Sequence, residues 1–264
     1  MNDPGKEISR LAFDERGADY LLAVREEYGN AGPAFVAKGE DVGDIRTDIP
    51  YQLVTILRKI YPYMEDGKIA VVIRRCEEKA LNELIKRGII DGDRIIRIGL
   101  ACSEGQIEAC RCTDPVPSCV DIGSPGKGWN EDQLSKELSA MSSEERLDFW
   151  VAQFRKCNKC YACSTNCPVC VCDHCVLEEC TFVAEKGIPP GMAFHLIRAY
   201  HLSDKCTECG ECERSCPAHI PLLTFRKMTN RDMKDLYGYE SGDTETVSPL
   251  LTTLEGDLLE EEED

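Results

Sequence analysis

Positive charge is scarce in this sequence: 31 Lys and Arg stand against 48 Asp and Glu, for a formal net charge of −17 at pH 7. A nucleic-acid binder needs a basic footprint to displace counterions, and this composition argues against one. No apolar run approaches the ~20 residues that span a bilayer. The polar start, MNDPGKEISR, has no apolar core of the kind a secretory signal requires. No Ser/His/Asp arrangement, P-loop or paired-carboxylate motif marks a hydrolase, and there is no glycine-rich phosphate loop. These absences lead us to expect a cytoplasmic chain, in a compartment where thiols stay reduced. Its acidity either keeps it in solution or steers it toward a basic patch on a partner.

Cysteine, by contrast, is abundant: there are 17. An odd count cannot form a complete set of disulfides, and disulfide frameworks belong mainly to short secreted chains. Cys157, Cys160, Cys163 and Cys167 form C-x-x-C-x-x-C-x-x-x-C before Pro168, and Cys206, Cys209, Cys212 and Cys216 repeat the pattern before Pro217. This run holds two [4Fe–4S] clusters in bacterial ferredoxins, the fourth cysteine of each copy ligating the other cluster. The spacing predicts one cluster on Cys157, Cys160, Cys163 and Cys216, and a second on Cys206, Cys209, Cys212 and Cys167. Zinc also takes four thiolates, but two complete copies, each with its proline, favour iron–sulfur clusters. After Cys167 the spacing changes to C-x-C. Cys170, Cys172 and Cys175, with Cys180 beyond them, therefore read as a further ligand set for a cluster or zinc, with buried or spare thiols as the alternative.

The first part of the chain alternates between helical and strand patterns. ADYLLAVREEYG suits a helix closed by Gly29, PAFVAK a strand, and YQLVTILRKIYPYM a helix. KIAVVIR reads as a buried strand, EEKALNELIKRG as an amphipathic helix closed by Gly88, and RIIRIGL as another strand. This order predicts a small parallel α/β sheet over residues 1–130, with ligand sites at the carboxyl ends of its strands. Cys76 and Cys102 fall just after two of those strands. DPVPSCVDIGSPGKG then breaks the pattern. Residues 131–156 read as a linker and connecting helix, opened by a capping box of Ser142 and Glu145. Residues 157–235 read as an all-α dicluster domain with helices after each motif, and 236–264 as an acidic, disordered tail.

Two resemblances refine this reading. Residues 145–235 resemble the α-helical ferredoxins of fumarate-reductase iron–sulfur subunits and of heterodisulfide-reductase electron-transfer subunits. His195, His201 and His219 in this region are read as packing or surface residues. KIAVVIRRCEEKALNELIKRG, IIRIGLACSEG and ACRCTDPVPSCVDIGSPG resemble the β-subunit family of coenzyme F-420-reducing hydrogenases and formate dehydrogenases, over residues 30–125. That family binds an iron–sulfur cluster and often FAD. The resemblance implies a third cluster on Cys76, Cys102, Cys110 and Cys112, with Cys119 as a substitute ligand. The pair is C-x-C here where the family usually has C-x-x-C, which leaves the fourth ligand open.

Together the resemblances imply an electron-transfer subunit of a cytoplasmic, anaerobic oxidoreductase complex. Its partners would be a flavoprotein, hydrogenase or formate dehydrogenase on one side and a heterodisulfide-reductase-like protein on the other. The expected cofactors are two [4Fe–4S] clusters, one or two more, and FAD as an open alternative. Two other readings remain: an FAD-containing catalytic subunit exchanging hydride with a deazaflavin or nicotinamide, and a non-redox metal-binding scaffold.

Overall fold

The computed structural model describes residues 4–129, 132–172, 174–178 and 187–250. Its strands are β1 (Tyr20–Glu27), β2 (Asn30–Ala37), β3 (Asp44–Ile45), β4 (Ile69–Ile73) and β5 (Ile95–Gly99). The helices of the first half are α1 (Pro4–Ser9), α2 (Leu53–Ile60), α3 (Arg75–Lys86) and α4 (Glu104–Cys110). Those of the second half are α5 (Gln133–Ala140), α6 (Ser143–Phe154), α7 (Ala162–Thr165), α8 (Met192–Ser203), α9 (Glu211–Arg214) and α10 (Leu222–Tyr237).

The sheet runs in the order β2-β1-β4-β5, with β3 pairing to β1. It is mixed, which corrects the expectation of a parallel sheet. β1 pairs parallel with β4, and β4 with β5, but β2 and β3 are antiparallel to β1. The antiparallel part arises because ADYLLAVREEYG is a strand and not the expected helix. Tyr28 and Gly29 both take positive φ (52° and 77°) and turn β1 directly into β2. Two-residue hairpin turns require such angles. Pro33, which cannot donate to a ladder, lies on the edge strand β2, where it is tolerated.

All five residues of β4 are buried, as the apolar run KIAVVIR predicts. They pack with Leu21, Leu22, Leu53, Leu57, Leu81, Leu84 and Ile98 in the main core. That core extends past residue 130, because Val169 and Leu202 belong to it and Cys167 and Cys170 pack against it. Thr55 Oγ1 donates to the Asn166 carbonyl at 3.1 Å, and Arg58 donates to that of Cys170.

Every regular element described after residue 132 is a helix. The capping box predicted at Ser142 and Glu145 opens α6, with Glu145 N donating to Ser142 Oγ at 3.2 Å. A second core of Leu138, Trp150, Phe154, Ile220 and Leu222 joins α5, α6 and the start of α10. The segment expected as a tail from residue 236 makes buried contacts as far as Ser248. Tyr239 and Ser248 are buried, and Glu83 of α3, itself fully buried, accepts hydrogen bonds from Gly242 N (2.7 Å) and Tyr239 Oη (3.2 Å). Residues 251–264, with the acidic end, lie outside the described residues. Among the described residues no helix is long and apolar enough to cross a membrane.

Candidate metal centres

The two ferredoxin-type runs fold the same way residue for residue. Lys159 and Tyr161 in the first take positive φ (60° and 59°), and so do Glu208 and Gly210 at the matching positions of the second (55° and 77°). Side chains other than glycine rarely adopt this left-handed region, and such strain gathers at functional sites. A one-turn helix, α7 or α9, follows in each case. The tight loop turns backbone N–H groups toward sulfur: Lys159 N lies 3.4 Å from Cys157 Sγ. The backbone of Glu208 serves Cys206 likewise, that of Glu211 serves Cys209, and that of Val169 serves Cys167. Donors so placed favour the thiolate, the form that binds metal.

Three cavities gather the thiols. The first is lined by Cys157, Cys160, Cys163 and Cys216, so the last cysteine of the second run joins the first three of the other. The second is lined by Cys206, Cys209, Cys212 and Cys167, with Cys163 on its edge. The third is lined by Cys76, Cys102, Cys110 and Cys112, with Cys209 on its edge. It lies beyond the carboxyl ends of β4 and β5, where parallel strands present ligand sites. Cys76 is in the first turn of α3. Cys102 precedes Ser103, which caps α4, and Cys110 ends that helix. Arg111, at φ 48°, turns the chain so that Cys112 reaches the same cavity.

Protonation follows from burial, the largest influence on each thiol. It pushes Cys206 and Cys212 up to about 12 and Cys102 up to about 11, and it raises Cys76, Cys167 and Cys209 as well. At neutral pH these groups keep their protons until a metal displaces them. No three His, Cys, Asp or Glu side chains among the described residues meet closely enough to hold one metal ion. A zinc ion needs its four sulfurs about 2.3 Å from a single point. Four thiols spread around a shared cavity instead suit a multi-iron cage, and the donor set fits a [4Fe–4S] group.

The other described cysteines do not line these cavities. Cys119 is exposed, with its Sγ 3.6 Å from Asp121 Oδ1, and does not line the third cavity. Its position follows from Gly99, where a Cβ would fall 1.7 Å from the Cys119 carbonyl oxygen. Only glycine lets the 117–122 segment cross β5 so closely. The described members of the further set beginning at Cys170 lie in different surroundings. Cys170 packs on the main core with its Sγ 3.3 Å from Ser164 Oγ, Cys172 is exposed, and Cys175 packs with Leu177 and Phe194. Cys180 lies outside the described residues.

The sequence reading missed the cationic and aromatic groups between the first two cavities. Arg198 of α8 and Arg226 of α10 line both. His195, expected only to pack, does stack on Phe154 at 4.1 Å but also lines the first cavity, with its Nε2 buried and unpartnered. Burial and the two arginines push its imidazole down to about 4, so it is neutral. No motif signals these residues, because only the crossing of α8 and α10 brings them together.

A polar cleft of about 600 Å³ lies beside the second and third cavities, with Cys76, Cys112 and Cys206 in its wall. Lys79, Lys227, Thr207 and Asn230 also line it, and Thr207 Oγ1 is buried there without a partner.

No family model matches the chain. It is 37% identical to the F420-dependent formate dehydrogenase subunit beta of Methanocaldococcus jannaschii, over 92% of this chain and 92% of the relative. It is also 37% identical to the F420-dependent formate dehydrogenase 1 subunit beta of Methanococcus maripaludis, over 92% of this chain and 91% of the relative. The chain belongs to the formate dehydrogenase β-subunit family. The family thus agrees with the resemblance read from the strand-end cysteines of residues 30–125. The similarity runs over nearly the whole chain, 92% of it in both comparisons.

Proposed function

We propose that this chain is an iron–sulfur electron-transfer subunit of a cytoplasmic oxidoreductase complex. The carrying observation is that three cavities, walled by four, five and five thiols, share walls. Cys163 borders the first and second, and Cys209 borders the second and third. When bound, [4Fe–4S] clusters supply one-electron redox chemistry. The chain's own residues hold the sites close together, bury them, and aim N–H groups at the sulfurs. In this reading Cys157, Cys160, Cys163 and Cys216 form the first ligand set. Cys206, Cys209, Cys212 and Cys167 form the second, and Cys76, Cys102, Cys110 and Cys112 the third. The names of the relatives support a formate dehydrogenase-type partner on one side. A heterodisulfide-reductase-like partner on the other rests on the helical ferredoxin resemblance. The net charge of −17 suits docking to basic patches.

The test is anaerobic purification of the full chain with iron and sulfide counting and EPR. About twelve irons per chain, as three four-iron clusters require, supports the proposal; iron and sulfide near zero would leave only a non-redox scaffold. The polar cleft favours a second reading, a flavin-containing catalytic subunit, because it has the size of a small-molecule site (~300–1,000 Å³) and touches thiols of two cavities. A yellow flavin released on denaturation would support that reading.

A further inference from the structure

Arg198 and Arg226 are 8% and 4% exposed, yet among the described residues neither pairs with a carboxylate. Arg198 donates to the Cys163 carbonyl at 2.5 Å. Arg226 donates to the carbonyls of Ala199 (3.1 Å) and Arg198 (3.5 Å). A guanidinium does not shed its proton in a protein, so two positive charges are buried side by side. Buried charge without a counter-charge is strongly unfavourable. The groups near Arg198 that become anionic on losing a proton are thiols: Cys163, Cys167, Cys170 and Cys212.

The third cavity is charged differently. Its cations, Arg74 and Arg214, each have an acidic partner: Glu77 at 3.7 Å and Glu211 at 2.6 Å. Glu208 lies between that cavity and the second and lines both. Arg214 also reaches Cys110 Sγ at 3.5 Å, but each cation there is matched by an acid, whereas Arg198 and Arg226 beside the first two cavities are not.

We propose that Arg198 and Arg226 hold the two sites of the helical half at higher reduction potential than the site at the sheet edge. The inference rests on the iron–sulfur reading above. Each reduction adds one negative charge to a site. Unpaired positive charge beside the first and second sites stabilises that product, and matched or acidic surroundings at the third do not. At an effective dielectric constant of about 20, a unit charge a few ångströms away shifts a one-electron equilibrium by more than tenfold. The array is therefore graded, with its most reducing member at the carboxyl ends of β4 and β5.

EPR-monitored redox titration of the anaerobically purified full chain tests this, after iron and sulfide have been counted. Signals are assigned by their loss in the C160A, C209A and C102A variants. In the native chain the signal lost in C102A should have the lowest potential. R198Q and R226Q should each lower the other two potentials by a tenfold change in equilibrium, which is about 59 mV for one electron, and leave the third in place. R198K and R226K keep the charge and should keep the potentials. E77Q, which removes an acid that lines the third cavity and neither of the other two, should raise that potential alone. The inference is overturned if the three native potentials lie within tenfold of one another, or if Gln and Lys variants behave alike. If the Gln variants fail to hold iron, E77Q decides: an unmoved third potential overturns the grading. A native chain without iron would defeat the iron–sulfur reading itself, and the grading with it.

Discussion

Replacing Cys216 with alanine removes a thiol from the second ferredoxin-type run, but the cavity it borders belongs to the first. The lining of each cavity fixes the expected size of the effect. On the proposed reading three sites would hold about twelve irons, and a cubane deprived of one of four cysteines is lost, so C216A should retain about eight. The second site should survive, because Cys206, Cys209, Cys212 and Cys167 are untouched. Iron and acid-labile sulfide counts measure the loss, and low-temperature EPR shows which signal disappears. C216A should erase the same signal as C160A, while C167A and C209A should both erase a different one. If C216A and C209A instead erase the same signal, the cavities do not report the ligand sets, and the crossed arrangement is wrong.

Glu83→Ala should release the 239–250 segment, because it removes the acceptor of Gly242 N and Tyr239 Oη and leaves Lys86 and Arg87 without this buried partner. A loss of ~3–5 kcal/mol, read as a lower urea midpoint and faster proteolysis near residue 240, is expected; an unchanged midpoint would refute the anchoring. Iron loading of the metal-free chain should strengthen as pH rises from 6 to 9, since thiols held up to about 11 to 12 must give up protons to bind. The same shifts stabilise the metal-free fold below the ordinary thiol value of 9.0, and that contribution is lost as pH rises through about 11 to 12. Loading that is flat with pH, by competition against a chelator, would argue that the thiols are already ionised. C119S and C172S should keep their full iron content, because neither side chain lines a cavity; loss of about four irons in either would reopen the ligand sets.

Much of the site was legible because cubane ligation is written as local spacing. The two runs each carry three thiols of one cavity, and only the fourth comes from elsewhere in the chain. The sheet-edge thiols were readable for another reason: apolar β4 and β5 announce where they end, and Cys76 and Cys102 follow at once. The strand at β1 was not. Leu21, Leu22, Ala23 and Val24 are all buried, because the strand is paired on both sides within the sheet, and such a run lacks the alternation that separates strand from helix. Tyr28 at the first turn position hid a hairpin that Asn or Asp would have signalled. The contacts of residues 239–248 were not legible, because they are single hydrogen bonds to Glu83 and Asp204, not an apolar pattern. Arg198 and Arg226 matter only where two helices cross, and no spacing within either helix encodes that.

Cys160 is the one exposed thiol among the twelve that line the three cavities. Susceptibility to oxygen and peroxide follows thiolate character and access. Oxidative damage should therefore begin at that end of the array and work inward. A chain handled briefly in air would lose its outermost centre first and keep the two behind it. It would then look like a smaller carrier with fewer irons, and the order of decay would itself report which end of the array faces the surroundings.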